Sequence, residues 1–176
     1  MNYEYLNNKL LQEYTLIHHS KKEKIYLLPD KKVLKITKNL KDCRREYLVL
    51  RYAYRCPLFP KVYEYRSGYL IRDHVDGICI IDYLKKNTFD KELALSLINI
   101  YDTFIKLKFT RLDTGVSHIF ITKDKQIRLI GLKSSCWYNE NYPKHMLNGL
   151  HRLKVSKRFF RILKDERPEL YDIWKK

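Results

Sequence analysis

Apolar positions along this chain change period several times, and each change marks an element. Residues 3–14 place Leu6, Leu10 and Tyr14 on one helical face, which predicts a short amphipathic helix. Lys24–Leu28 and Val33–Thr37 read as two strands around a Pro29-Asp30 turn. Asn39 is placed to cap a helix whose Leu40, Cys43, Tyr47, Leu50 and Tyr54 recur every three or four residues, ending before Pro57. A second hairpin follows: Lys61–Tyr65, a Ser67-Gly68 turn, and Tyr69–Asp73. His74-Val75-Asp76-Gly77 is a connector, and a short helix is expected around 80–86. Residues 90–108 carry the strongest helical pattern, with Leu93, Leu97, Ile100, Tyr101, Phe104 and Ile105 in register. Two short strands, 118–122 and 126–130, flank a Lys123-Asp124-Lys125 turn. From Pro143 onward the chain reads as helical and basic, with Phe159, Phe160, Leu163, Leu170 and Trp174 facing a core. Strands with one helix, followed mostly by helices, predict an α+β fold of two unequal lobes.

Composition narrows the class. The 176 residues include 45% hydrophobic residues but only 5 Gly and 5 Pro, which excludes disordered and collagen-like chains. No apolar run approaches the length of a membrane helix, and Met1-Asn2-Tyr3-Glu4 does not open a signal peptide. Cys43, Cys56, Cys79 and Cys136 form no C-x-x-C pair, and the histidines, including the His18-His19 doublet, lack metal-site spacing. A soluble cytoplasmic protein with buried thiols is expected. The net charge of +16, with +6 in residues 144–176, suits a polyanionic partner such as RNA, the ribosome or an acidic protein. It equally suits a solvated basic surface.

Candidate chemistry lies in three places. Val33-Leu34-Lys35-Ile36 puts a cation on a strand, and Glu46, eleven positions on, falls in the following helix. An acid there can fix the Lys35 ammonium. Leu112-Asp113 precedes His118-Ile119-Phe120-Ile121 by five residues. Taken singly, Lys35 could be a solvated strand residue, and Glu46 beside Arg44 and Arg45 a surface ion pair. Asp113 before Thr114-Gly115 could be a turn residue.

In this order the pieces resemble the protein kinase fold, and most closely the small bacterial protein-kinase-like proteins. The RIO-type atypical kinases are more distantly similar. Arg44-Arg45-Glu46-Tyr47, Phe59-Pro60-Lys61-Val62-Tyr63-Glu64 and Leu70-Ile71-Arg72-Asp73-His74-Val75-Asp76-Gly77 also look like their counterparts there. The resemblance implies one domain over 1–176: an antiparallel N-lobe with one helix (about 1–73), a hinge (about 74–78) and a reduced helical C-lobe (about 79–176). It implies Asp113 as catalytic base, with Lys35 and Glu46 at the phosphates. Ile25, Val33, Asp73, His74, Val75 and Ile130 would complete a nucleotide site.

Departures from the family pattern shape the expected function. The phosphate-covering turn, His18-His19-Ser20-Lys21-Lys22-Glu23, contains no glycine. His118 and Gly131 occupy the two positions where the family carries metal ligands. Imidazole is a poor ligand for Mg²⁺, and glycine offers no side chain. Arg111-Leu112 replaces the family's His-Arg before Asp113. The expectation is a pseudokinase that binds nucleotide or protein, with weak ATP binding and little or no Mg²⁺. The alternatives are an active atypical serine/threonine kinase and a basic RNA- or ribosome-associated module with a vestigial cleft. The acceptor or protein partner is not legible.

Overall fold

The computed structural model describes residues 11–131 and 139–175. They divide into two units, the first holding residues 11–75 and Gly131, the second holding the remainder. The helix expected over residues 3–14 lies mostly outside the described residues.

The first unit is a five-stranded antiparallel sheet with one helix. Its strands are β1 (Thr15–His19), β2 (Glu23–Leu28), β3 (Lys32–Thr37), β4 (Val62–Arg66) and β5 (Tyr69–Asp73), in the order β1-β2-β3-β5-β4. Pro29, Asp30 and Lys31 connect the paired Leu28 and Lys32, with Asp30 and Lys31 both left-handed at φ 57° and 53°. That turn fixes the register: Ile25 opposes Lys35 and Leu27 opposes Val33. On the other side of β3, Leu70 opposes Lys35 and Arg72 opposes Val33. Alternation therefore sets Val33, Lys35, Ile25, Leu70 and Arg72 on one face.

Helix α1 (Leu40–Tyr52) packs on β3, β4 and β5. Its Asn39 cap accepts a hydrogen bond from the Asp42 N–H at 3.1 Å, as the sequence predicts. Cys43, Glu46, Val49 and Leu50 form its buried stripe. Tyr47 stacks on Tyr65 with centroids 4.6 Å apart. Strand β1 was not anticipated. His18 and His19, expected in a turn, end this strand, whose pairing with β2 has no apolar signature because its five residues are all exposed.

In the second unit β6 (Ile78–Cys79), β7 (Ile119–Ile121) and β8 (Ile127–Leu129) make a small antiparallel sheet. Among the described residues its helices are α2 (Ile80–Tyr83), α3 (Lys91–Lys106), α4 (Lys144–Arg152), α5 (Ser156–Glu166) and α6 (Pro168–Trp174). A 3-10 turn spans Val116–His118. The Asp90 side chain caps α3 by accepting from the Leu93 N–H at 2.8 Å. Leu97, Phe104, Phe159, Leu163 and Trp174 are almost fully buried. Phe160 is only half-buried and Ile105, in the last turn of α3, is exposed. Trp174 lies edge-on to Tyr101 at 4.9 Å and parallel to Phe159 at 6.3 Å. Arg167 pins α6 to α3 through Asp102, at 2.7 and 3.3 Å. No described helix is long and apolar enough to cross a membrane.

Candidate functional site

The face of β3 that α1 covers carries a buried charge network. Lys35 Nζ lies 2.7 Å from Glu46 Oε2, the pairing the sequence predicts, and 3.0 Å from Glu23 Oε2. Arg72 Nε sits 3.9 Å from the other Glu46 oxygen, and Arg72 Nη1 donates to the Asp73 carbonyl at 2.8 Å. The side chains of Lys35, Glu46 and Arg72 are 7%, 3% and 5% exposed, against 23% for Glu23. Burial alone would pull the Lys35 ammonium down, but Glu46 and Glu23 reverse this and hold it above its ordinary value. Burial pulls Arg72 below its own. Cys43, sunk beside Glu46, is pushed up to about 11, chiefly by burial. Two cations face two carboxylates, so the cluster is neutral and Lys35 has little unshared positive field for a phosphate.

The backbone groups beside this network are largely committed. Ser20 N–H donates to the Glu23 carbonyl at 2.9 Å, and Ser20 Oγ accepts from the amides of Lys22 and Glu23 at 3.2 and 3.1 Å. The turn therefore hydrogen-bonds internally where a glycine loop would present amides to phosphate. Asp73 N–H donates to Lys61 O and His74 N–H to Lys31 O, at 2.9 and 2.8 Å. The Asp73 carboxylate takes the Lys61 N–H and the Tyr63 hydroxyl, at 3.0 and 2.7 Å. Ile25, Val33 and Val75 are buried in this unit.

Asp113 belongs to the second unit, and its side chain has no exposed surface. Its carboxylate accepts from the His145 N–H at 2.9 and 3.0 Å and from the Met146 N–H at 3.2 Å. The His145 ring Nδ1 also meets it, and Arg111 Nη2 lies 3.8 Å away. Asp113 thus caps the amino end of α4, whose positive dipole end favours a carboxylate. Close packing holds the helix there: a Cβ on Gly149 would stand 2.5 Å from Val116 Cγ1.

His118 and Gly131, the residues expected from the resemblance at the metal-ligand positions, offer no side-chain oxygen. His118 closes the 3-10 turn, its amide donating to Gly115 O at 2.9 Å and its carbonyl accepting from Ile130 at 3.1 Å. Gly131 has a left-handed backbone at φ 75° and no side-chain donor. Among the described residues no cluster of His, Cys, Asp or Glu could hold a metal ion.

The Lys35–Glu46 contact is legible in the sequence, whereas the contacts of Glu23, Arg72 and the α4 amides are not. The β2–β3 register sets Glu23 diagonal to Lys35, so Glu23 was legible once the turn was known. The contact from Asp113 to His145 spans 32 residues and has no local signature.

No protein-family model matches the chain, and no curated protein does. Among solved structures, the Cydia pomonella granulovirus kinase PK-1 is similar with a TM-score of 0.52 at 19% identity. The match covers 70% of this chain and 54% of that one, so the chain spans about half the length of the kinase. The streptomycin-ATP-APH(2")-IIa ternary complex gives a TM-score of 0.41 at 22% identity, over 58% of this chain and 36% of that one. With its antiparallel sheet, single covering helix and mostly helical remainder, this chain has the α+β protein kinase-like fold.

Proposed function

We propose that this protein is a pseudokinase, a kinase-fold protein that acts by binding nucleotide or a protein partner and does not transfer phosphoryl groups. One observation carries the reading: the Asp113 carboxylate, the candidate base, is buried and spends its lone pairs on the amides of α4. A general base needs an accessible oxygen within reach of the acceptor hydroxyl. The lack of side-chain oxygen at Gly131 and the imidazole at His118 support the same reading, because uncompensated charge on the transferred group raises the barrier. ATP, if held, contacts Lys35 in competition with Glu23 and Glu46, so binding is weak and gains little from Mg²⁺. The scattered cysteines fit a cytoplasmic setting.

A thermal-shift titration with ATP tests this, since a ligand of the native state raises stability. The expected result is a small rise at millimolar ATP, unchanged by Mg²⁺ and absent in Lys35→Ala. A large rise that requires Mg²⁺ would sink the proposal.

A further inference from the structure

From Asn141 to Lys164 the chain contains no acidic residue, but it carries Lys144, Arg152, Lys154, Lys157, Arg158, Arg161 and Lys164. Five of these concentrate on α5 and the turn before it. Lys157, Arg158, Arg161 and Lys164 are all exposed and occupy an arc of about 120° on the helix, opposite the buried Phe159, Ile162 and Leu163. Lys157 to Lys164 spans about 10 Å of helix axis. Among the described residues none of these five cations is ion-paired; Lys164 lies over the Tyr171 ring at 5.8 Å. Asp165 alone intrudes at the carboxyl end of the arc.

Lys154 adds a second observation. It sits at φ 59°, just past the end of α4, a left-handed position where glycine is the cheaper residue. The chain keeps an exposed cation there at a cost in backbone energy.

We propose that this face of α5, with Lys154, binds the phosphate backbone of a single-stranded nucleic acid. Two other polyanions fit less well. A bilayer-binding helix needs an apolar face to insert, and the apolar face of α5 is spent on α3, α4 and α6. A protein interface needs aromatic or aliphatic anchors, and Phe160, the large apolar residue nearest the arc, is packed against Phe159 and Tyr171. Anchored along its length, α5 does not stand clear of the unit to enter a duplex groove. A flexible strand can follow a fan of cations on one helix. Contacts to phosphate alone read neither base nor sugar, so RNA and DNA strands bind alike.

The test is fluorescence anisotropy of oligouridylate and oligothymidylate with the whole protein across a salt series. Four or five phosphate contacts predict a slope of log K against log salt of about −3 for a single strand. Lys157→Gln/Arg158→Gln/Arg161→Gln should weaken binding at least tenfold at low salt and bring the slope to about −1. Its melting temperature should be unchanged, because the three side chains are exposed. Lys154→Gly should weaken binding while raising the melting temperature, a pairing that a folding defect cannot produce. Asp165→Asn should strengthen binding. No binding at low salt, an unchanged slope in the triple variant, or tighter binding to polyglutamate or to phosphatidylserine vesicles would overturn the proposal.

Discussion

Lys35 and Asp113, the two side chains singled out from the sequence, have surroundings that differ in kind. Lys35 is held by side chains, Glu46 at 2.7 Å and Glu23 at 3.0 Å, one of them partly exposed. Asp113 is held mostly by backbone, the amides of His145 and Met146. A side-chain partner such as Glu23 can rotate away and release its cation to a ligand. A helix terminus cannot withdraw from its cap without moving the helix. The first centre is therefore closed by partners that can swing away, and the second by a helix end that cannot.

The comparison breaks most readily at Asp113. Asp113→Ala strands two amides and a helix dipole, and should cost about 3 kcal/mol in urea denaturation. A stability loss near zero would mean the cap is incidental. Glu46→Ala comes next, at about 3 kcal/mol or slightly less, because it leaves Lys35 and Arg72 buried with Glu23 as the nearest carboxylate. Glu23→Gln should be nearly neutral in stability yet raise ATP affinity several-fold, since Glu23 is the exposed competitor for Lys35. Equal stability losses in the two variants would show that Glu23 is as structural as Glu46.

Gly149→Ala sharpens the second centre from a distance. The new methyl meets Val116 in close packing, so α4 must shift from Asp113, at about 2 kcal/mol. The last effect is alkaline. Cys43 is held as a thiol, raised from the ordinary 9.0 to about 11. Its folded value exceeds its unfolded one, so its contribution is complete below pH 9 and disappears as pH rises toward 11. Lys35, also raised, loses its contribution at still higher pH. Stability should fall by up to about 2 kcal/mol over that window, and Cys43→Ala should flatten the fall.

How much of this the sequence disclosed follows from the range of each interaction. The antiparallel hairpins, the α1 cap at Asn39 and the Lys35–Glu46 pair are local or set by short register, and all were legible. Strand β1 was not, because Thr15–His19 is exposed throughout and shows no period. Glu23 was visible as a charge but was read as part of a turn, although the strand register places it beside Lys35. The role of Asp113 was hidden, because it depends on where α4 docks, which the packing of Gly149 on Val116 decides.

On the proposed reading Asp113 holds a helix rather than accepts a proton. Phosphotransfer from γ-labelled ATP, measured alongside denaturation for the protein and for Asp113→Asn, tests it directly. No transfer above background is expected in either, with Asp113→Asn less stable by about 2 kcal/mol. Measurable transfer that disappears in an Asp113→Asn variant of unchanged stability would contradict it.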